Sequence, residues 1–523
     1  MSSNFMKGAL IITAASLLSK LLGSLFRIPL QNIAGDDVFG IFSIVYPVYM
    51  AVLILSVAGI PLAISKLIAE ARAAGDDTGI RHIFVTASIL AASIGTGMFL
   101  LLAAVSVPLS VQLGGAFTLP ALLVVSATLL VAPYMAVYRG FFQGYDDMRP
   151  TALSQVLEQF VRVFFILLFA FILTVQGYGA PAVAGGVMTG SILGALASLV
   201  YLRRFYQKSP VRPKKAERYT GKDFRKWSKT ILAVALPICV GALALAIVNF
   251  IDSMSVPQQL RAIGVPDLEV AAQYGYYGRG IALVQIAVVF AQALILPLIP
   301  LITAAMAEGK AERTALITEQ ALKFMHVTSW PAAVGLFVLT VPLNYALFGD
   351  TMASDVLAVV HLSAAATAFA ILTTGILQGM NRQLYSAGIV AAVSVVKVGL
   401  NIVLIQYFGL IGVAWSTLAA YVLLTVWNVW LMKKTAAFKL WGNREGRIML
   451  AAVLMGALVY APSFWIDAAS LSRPMALLYV LVLMGAGGVV YGVLLLVFRA
   501  MKEEELRRIP VIGGRLARLT RTS

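Results

Sequence analysis

The sequence is poor in the residues that most often perform catalysis or bind metals. It contains one cysteine and three histidines among 523 residues. A single cysteine excludes a framework of disulfide bonds, and we interpret Cys239, which lies in an apolar stretch, as a packing residue. The three histidines, His82, His326 and His361, are scattered along the chain and suggest neither a metal cluster nor a nucleophilic triad. We therefore expect no metal site and no cofactor.

Charged residues are also scarce, at 12% of the chain, whereas hydrophobic residues make up 60%. A soluble domain would carry about a quarter charged residues. Apolar segments of about twenty residues recur along the whole length, which predicts an all-α polytopic membrane protein. The first segment has no small-residue cleavage site, so we interpret it as a retained span rather than a signal peptide.

The charge that is present is strongly basic, with a net value of +17. Most of it falls in alternate loops, the densest being residues 203–229, followed by the tail from Lys502 to Arg521. Lysine and arginine in short loops mark the cytoplasmic side of a membrane protein. The intervening loops, such as 31–37 and 349–355, contain few cations. This asymmetry explains the basicity without a nucleic-acid partner.

Fourteen apolar runs predict fourteen membrane spans, and this even number places both termini in the cytoplasm. The runs lie near 8–30, 38–68, 83–108, 119–140, 152–175, 180–202, 230–252, 273–305, 326–348, 354–378, 385–406, 408–432, 447–467 and 474–499.

An internal repeat groups these spans into two halves. Residues 140–169 align without gaps to residues 375–404. The matched pairs include Gly140 with Gly375, Gln143 with Gln378, Gly144 with Gly379, Ala152 with Ala387, and Arg162 with Lys397. We expect two six-helix lobes, related by a pseudo-twofold axis along the membrane normal, around a central cavity. Such an arrangement favours an alternating-access transporter over a channel or a scaffold.

The repeat divides the chain into five segments. They are an N-terminal lobe (1–202), a basic cytoplasmic linker (203–229), a C-terminal lobe (230–432), two additional transmembrane helices (433–499) and a basic cytoplasmic tail (500–523).

Several motifs carry a resemblance to a known family. SKLLGSLFR (19–27), YYGRG (276–280), the segment 294–313 and the QG sequences of the repeat resemble the multidrug/oligosaccharidyl-lipid/polysaccharide exporter superfamily. Within it, the chain is similar to the MurJ lipid II flippases and more similar to the branch typified by stage V sporulation protein B and YtgP. The resemblance implies a flippase, not an enzyme, that moves an undecaprenyl-pyrophosphate-linked cell-wall precursor, such as lipid II, to the outer leaflet.

Three cations are the candidate substrate-binding residues. Lys20 and Arg27 lie seven residues apart, on one face of a helix, inside an apolar run. A cation near the bilayer centre costs roughly 2.5–3.5 kcal/mol on insertion scales. The resemblance places Arg279 at the family's conserved arginine on the eighth span. We expect these side chains to line a cationic cavity that binds a pyrophosphate. The alternative for Lys20 and Arg27 is contact with the membrane interface. The alternative for Arg279 is an ion pair with Asp252 or Glu269.

Other ionisable residues within the spans are candidates for ion pairs or for coupling to an ion. Glu158 and Arg162 lie one turn apart, so they either neutralise each other or take part in proton coupling. Some relatives bind sodium through residues that Asp252, Asn401 and Thr417 roughly match. Lys397 lies one turn before Asn401, where its ammonium group would occupy the space of the ion. We therefore hypothesise a Lys397–Asp252 pair and leave the coupling ion, H⁺ or Na⁺, open.

Three alternatives to a lipid II flippase remain at this stage. One is a flippase for another lipid-linked polysaccharide precursor, and a second is a cation-coupled multidrug exporter, which would need an acidic cavity. The third is a scaffold that transports nothing. We expect a protein of the bacterial cytoplasmic membrane that contacts membrane lipids and is monomeric, with association with the cell-wall synthesis machinery left open.

Overall fold

A computed structural model describes residues 3–213 and 219–501, and within these ranges the chain is helical and contains no strand. The middle of the expected basic linker and nearly all of the expected basic tail lie outside the described residues. The helices are α1 (Ser3–Leu25), α2 (Arg27–Val57), α3 (Ile60–Ala73), α4 (Asp77–Ala104), α5 (Ser106–Gln112), α6 (Leu119–Ser126), α7 (Ala132–Gly144), α8 (Arg149–Val175), α9 (Ala180–Lys208), α10 (Gly221–Ala262), α11 (Asp267–Ala287), α12 (Val289–Ala307), α13 (Ala311–Val338), α14 (Thr340–Phe348), α15 (Ser354–Gly379), α16 (Gln383–Phe408), α17 (Leu410–Thr435), α18 (Asn443–Tyr460) and α19 (Arg473–Val497).

The all-α membrane fold is confirmed, but the count of fourteen spans is not. Eleven stretches of the described chain are long and apolar enough to cross a membrane, or twelve if a pair bent by 45° between α11 and α12 forms one span. The first two expected spans, 8–30 and 38–68, fall within one stretch, Ala14–Ala73, in which α1, α2 and α3 follow one another closely. Gly35 interrupts α2 with non-helical backbone angles (φ 80°, ψ 175°) between these two expected spans. The expected span 230–252 lies in α10, which is not among the eleven.

The described residues form two compact units. The first comprises the residues up to Gly278 together with Val390–Val413, and the second comprises Arg279–Ile389 and the described residues from Ala414 onward. The lobe boundaries expected from the repeat stay a prediction.

The first unit has an apolar core in which α3, α4 and α7 pack together. Its fully buried members include Ala63, Ile64, Ile68, Ile83, Ala136, Val137 and Phe141. α8 packs along α9, and α1 packs against α8. The core of the second unit lies where α14, α18 and α19 meet, and there Ile448, Ala451, Ala452 and Ala476 are fully buried.

The glycines of the repeat lie at helix–helix contacts in each unit. In the first, a Cβ built on Gly144 would approach the Cβ of Ile68, on α3, to 2.8 Å. In the second, a Cβ built on Gly379 would approach the Cβ of Ile302, on α12, to 2.9 Å. Real Cβ atoms essentially never come so close, so both positions require glycine. The QG motifs therefore end helices α7 and α15 and hold each against a neighbour.

Candidate functional site

The first candidate residues lie where α1 continues into α2. Phe26 joins the two helices with right-handed helical angles (φ −62°, ψ −19°), so the chain keeps its direction through this point. The side chain of Lys20 is exposed, whereas that of Arg27 is half-buried and lies with its guanidinium carbon 5.9 Å from the centre of the Tyr46 ring. The Nε atom of Arg27 is buried and has no hydrogen-bond partner among the described residues.

Small and polar residues of α1 bring its cationic face against α8. Ser16 donates a hydrogen bond to Gln155 Oε1 at 3.3 Å. Gly23 leaves so little room that an added Cβ would approach the Gln159 amide nitrogen to 2.9 Å. Ser16 and Gly23 are seven residues apart, as are Lys20 and Arg27, and the four residues share one face of the helix. The face that carries the two cations thus contacts the polar part of α8.

Three helices share a buried ion-pair network next to this contact. Glu158, on α8, accepts hydrogen bonds from Arg162 at 2.5 Å and from Arg139, on α7, at 2.7 Å. Arg139 also donates to Ser154 at 3.0 Å and to Ser198, on α9, at 3.1 Å. The three charged side chains are only 11–15% exposed. The expected Glu158–Arg162 pair is present, but the carboxylate is shared with a second arginine.

Two glycines of α9 allow α8 to approach at the level of this network. A Cβ added to Gly194 would lie 2.6 Å from the backbone oxygen of Glu158, and one added to Gly190 would lie 2.7 Å from that of Arg162. Because glycine has no Cβ, the two backbones come close enough for Arg139 to reach both Glu158 and α9.

Tyrosines of α2 connect Arg27 to this network. Tyr46 contacts the Arg27 guanidinium and also interacts with Arg162. The Nε atom of Arg162 and the hydroxyl of Tyr49 are buried without a hydrogen-bond partner in the described part of the chain. Arg27, Arg139 and Arg162 contribute three positive charges against the single carboxylate of Glu158, so this group carries a net charge of +2. We refer to these four side chains and Tyr46 as the arginine network.

A second cluster in the first unit contains the hypothesised Lys397–Asp252 pair. Nζ of Lys397 lies 3.1 Å from Oδ1 of Asp252, and the two residues are 0% and 2% exposed. Asn401 donates to the same oxygen at 3.1 Å and to Ser255 at 2.8 Å, while the Tyr277 hydroxyl donates to Oδ2 at 2.9 Å. Helices α10, α11 and α16 therefore meet at one carboxylate.

These residues do not fit a sodium ion. Sodium needs several oxygen acceptors, yet both carboxylate oxygens of Asp252 accept hydrogen bonds from protein groups. The Lys397 ammonium lies at the position where a cation would contact Oδ1. The side chain of Lys397 thus supplies the positive charge that an ion would otherwise bring.

Arg279, the candidate residue in the second unit, is fully buried and engaged by Asp350. Its two terminal nitrogens lie 2.7 and 2.9 Å from the two oxygens of that carboxylate. It also donates to Asn344 at 3.1 Å and lies 5.1 Å over the Phe348 ring. Asp350 is not one of the two alternative partners, Asp252 and Glu269, that the sequence suggested. Asp350 follows α14 and reaches Arg279 through tertiary packing.

Asp350 lies between two spans, in the turn before α15. Burial acts to raise the pKa of its carboxyl, but hydrogen bonds from Arg279 and from the Met352 amide outweigh burial and hold that pKa below its ordinary value of 3.8. The pair therefore exists as a guanidinium and a carboxylate at neutral pH.

Comparison with known proteins identifies a family and relatives that match nearly the full length. The family model described as polysaccharide biosynthesis protein matches residues 5–306, more than half of the chain. The chain is 29% identical to stage V sporulation protein B of Bacillus subtilis (strain 168), covering 98% of this chain and 99% of that protein. It is 26% identical to the lipid II flippase MurJ of the same organism, covering 94% and 95%.

A solved structure shares the fold. The structure described as lipid II flippase MurJ, inward closed conformation, superimposes with a TM-score of 0.66 and covers 92% of this chain and 98% of that one. The sequences are 14% identical over this match, which shows the fold alone.

Proposed function

The chain belongs to the polysaccharide biosynthesis protein family, and on that premise we propose that it is a flippase, a transporter and not an enzyme. Its proposed substrate is an undecaprenyl-pyrophosphate-linked cell-wall precursor, most specifically lipid II, which it carries from the inner to the outer leaflet. The similarity to a protein named lipid II flippase over 94% of the chain supports this substrate.

The arginine network is the observation that supports the proposal most directly. A lipid-linked oligosaccharide can leave its tail in the bilayer, but its pyrophosphate cannot cross hydrocarbon without fixed positive charge along the path. Arg27 and Arg162 each keep a buried Nε that has no hydrogen-bond partner among the described residues, and the group around them carries a net charge of +2. Guanidinium groups bind phosphate oxygens through their paired N–H groups. The network thus has the sign and the donors that an anionic headgroup requires.

The same observation weighs against a multidrug exporter. Cationic drugs need acidic side chains within the spans, whereas the arginine network has three cations for one acid. The second candidate is a flippase for another lipid-linked polysaccharide precursor. The family description and the similarity to a sporulation protein over nearly the full length both favour that candidate.

The proposal includes an orientation in the bacterial cytoplasmic membrane. The loops rich in lysine and arginine, above all 203–229, would lie inside, together with both termini. The proposed functional form is a monomer surrounded by membrane lipid.

Transport of labelled lipids in proteoliposomes tests the function. Purified protein is reconstituted with fluorescent lipid II, and the label that becomes accessible at the opposite leaflet is followed over time. Parallel samples carry an undecaprenyl-pyrophosphate-linked oligosaccharide without the peptide, and a fluorescent cationic drug. We expect movement of the pyrophosphate lipids and none of the drug. If only the peptide-free lipid moves, the substrate is another lipid-linked precursor and not lipid II. If neither lipid moves, the proposed flippase function is contradicted.

A matched pair of variants separates the network from general effects of charge. Arg27→Ala removes a guanidinium of the network, whereas Arg313→Ala removes one whose side chain is 50% exposed beside Glu308. Only the first variant is expected to slow transport, and equal loss in both would contradict a role for the arginine network.

A further inference from the structure

A groove at one end of the first unit is distinct from both polar clusters. It has a volume of about 1070 Å³ and lies between the end of α7, the first turns of α8 and the last turns of α9, with residues 209–211 at its border. None of the arginine network and none of the cluster around Asp252 lines it. In the proposed orientation this end is cytoplasmic, because α9 leads directly into the basic linker.

One stripe of α9 runs along the groove and changes from apolar to cationic. Leu196, Val200, Arg204 and Lys208 all line it and follow one another at intervals of four residues, so they share a face of the helix. Leu196 and Val200 are 38% and 47% exposed. At a rise of 1.5 Å per residue, the stripe covers about 18 Å, of which the half toward the middle of the span is apolar. This length and order match the upper acyl chain and the headgroup of a phospholipid.

Aromatic rings line the groove at the level where the α9 stripe changes from apolar to cationic residues. Phe142 and Phe205 pack edge to face with their centres 5.2 Å apart, and Tyr201 lies 6.2 Å from Phe205. All three rings line the groove. Tyrosine and other aromatic side chains favour the boundary between hydrocarbon and headgroups, so this wall places the headgroup beside Arg204 and Lys208.

The charges in the groove leave one positive charge in excess. Arg72 is held by Asp146 at 3.1 Å and lies over the Tyr145 ring, so it is already paired. Arg204 and Lys208 have no ion-pair partner among the described residues. One acid, Asp147, also lines the groove, and its carboxylate accepts a hydrogen bond from the Arg149 amide. The two cations and one acid give the groove a net charge of +1. This net charge matches the single negative charge of a phosphodiester headgroup better than the higher negative charge of a pyrophosphate.

We propose that this groove binds one anionic phospholipid of the cytoplasmic leaflet, with its phosphate at Arg204 and Lys208 and its acyl chain along Val200 and Leu196. The proposal rests on the proposed orientation of the chain but not on the identity of the transported substrate. Each cation near the membrane surface adds to the attraction for an anionic lipid.

Native mass spectrometry of the full-length, delipidated protein tests the site. Phosphatidylglycerol and phosphatidylcholine with identical acyl chains are titrated separately, and the fraction with one lipid bound is measured. We expect phosphatidylglycerol to bind more tightly. The double variant Arg204→Gln/Lys208→Gln should weaken it roughly 10- to 30-fold. The control Arg203→Gln/Lys222→Gln, which removes two exposed cations outside the groove, should keep the wild-type affinity.

A second variant and two competing ligands distinguish lipid binding in the groove from simple electrostatic attraction to the protein surface. Val200→Trp fills the apolar half without changing charge and should also weaken binding, about tenfold or more. Wild-type affinity in this variant, equal binding of both phospholipids, or equal loss in the control variant would overturn the proposal. Displacement of phosphatidylglycerol by an equimolar amount of undecaprenyl pyrophosphate would reassign the groove to the substrate, and displacement by inorganic phosphate would overturn a lipid occupant. The lipid transport assay is not needed for any of these outcomes.

Discussion

Lys397 and Asp252 form an ion pair in which the ammonium nitrogen lies 3.1 Å from a carboxylate oxygen, and both side chains are inaccessible. The repeat aligns Lys397 with Arg162, which is also buried and also paired with one carboxylate, that of Glu158. The two pairs differ in chemistry, because arginine stays protonated at all physiological pH values whereas a buried lysine can lose its proton. The Lys397–Asp252 pair is therefore the better candidate for exchanging a proton during transport.

The first prediction concerns the stability that this pair provides. Lys397→Met leaves the Asp252 carboxylate buried without its cation, and Asp252→Asn leaves the ammonium group without its anion. Removing one partner of a buried pair costs roughly 3–5 kcal/mol. The double variant should cost much less than the sum of the two, because no uncompensated charge remains. Thermal unfolding of all four proteins in detergent measures this difference.

Additive losses in that cycle would show that the two side chains do not depend on each other. A charge-swapped protein, Asp252→Lys/Lys397→Asp, should recover part of what either single change removes. Its recovery is expected to be incomplete, because Tyr277 and Asn401 donate hydrogen bonds toward residue 252 and suit a carboxylate there. If the double variant of the first cycle is stable and transports normally, proton exchange at this pair is excluded.

The second prediction concerns Arg27. Arg27→Ala should insert into the membrane normally, because the half-buried guanidinium has no ion-pair partner among the described residues. It should nevertheless lower the rate of lipid II movement roughly 10- to 100-fold, since a hydrogen bond to a charged group is worth about 1.5–3 kcal/mol. Proteoliposome transport and complementation of a depleted strain measure this effect. Arg27→Lys keeps the positive charge but loses the paired N–H groups of the guanidinium, so its transport rate should lie between those of the wild type and Arg27→Ala. A wild-type transport rate in Arg27→Ala would contradict a role for Arg27 in substrate binding.

The sequence predicts the repeat well because its glycines and backbone conformations are local properties. The gapless alignment pairs Gly144 with Gly379, and each packs against an isoleucine of a preceding helix. It also pairs Asp146 with Asn381, and both take up left-handed backbone angles, at φ 60° and 57°. Aspartate and asparagine are the non-glycine residues that tolerate this region best. A motif that marks a helix end therefore has the same structural meaning in each half.

The ionic partners could be predicted only in part. Glu158 and Arg162 are one helical turn apart, and the Lys397–Asp252 pair is suggested by the resemblance to relatives whose sodium-binding residues Asp252 and Asn401 roughly match. Arg139 meets Glu158 across 19 residues of sequence, and Arg279 meets Asp350 across 71. Those contacts depend on how helices pack, which hydrophobic periodicity does not determine. One feature of the sequence points to Arg139 as a candidate site residue, namely that it is a charged residue within the apolar run 136–142.

The third prediction concerns the pH dependence of the Arg279–Asp350 contact. The folded protein holds the pKa of Asp350 below 3.8, so the carboxylate form stabilises the fold. That contribution is complete above about pH 5 and is lost as the pH falls through the lowered pKa. The difference in melting temperature between wild type and Asp350→Asn should stay constant from pH 7 to pH 5 and shrink below pH 4. A difference that grows on acidification would contradict the pairing.

The same pair separates two roles of Arg279. We predict that Arg279→Ala stops transport while the protein still inserts into the membrane. Asp350→Asn keeps the guanidinium but loses its ionic partner, at a side chain that is 39% exposed. If Arg279 acts on the substrate, Asp350→Asn should retain much of the transport that Arg279→Ala loses. Equal loss in both variants would assign Arg279 to holding the turn before α15.

The last prediction concerns the glycine that lets α8 approach α9. Gly194→Ala adds a Cβ that would lie 2.6 Å from the backbone oxygen of Glu158, so α8 must shift and the arginine network with it. Overpacking of this kind costs about 1–3 kcal/mol, and the displaced Glu158 should lose its contact with Arg139. Gly97→Ala is the control, because no atom lies within 4 Å of its added Cβ. Gly194→Ala should lower both the melting temperature and the transport rate, whereas Gly97→Ala should leave the melting temperature unchanged or raise it. Equal melting temperatures for the two variants would show that α8 and α9 separate at no cost, and the arginine network would then not depend on their close packing.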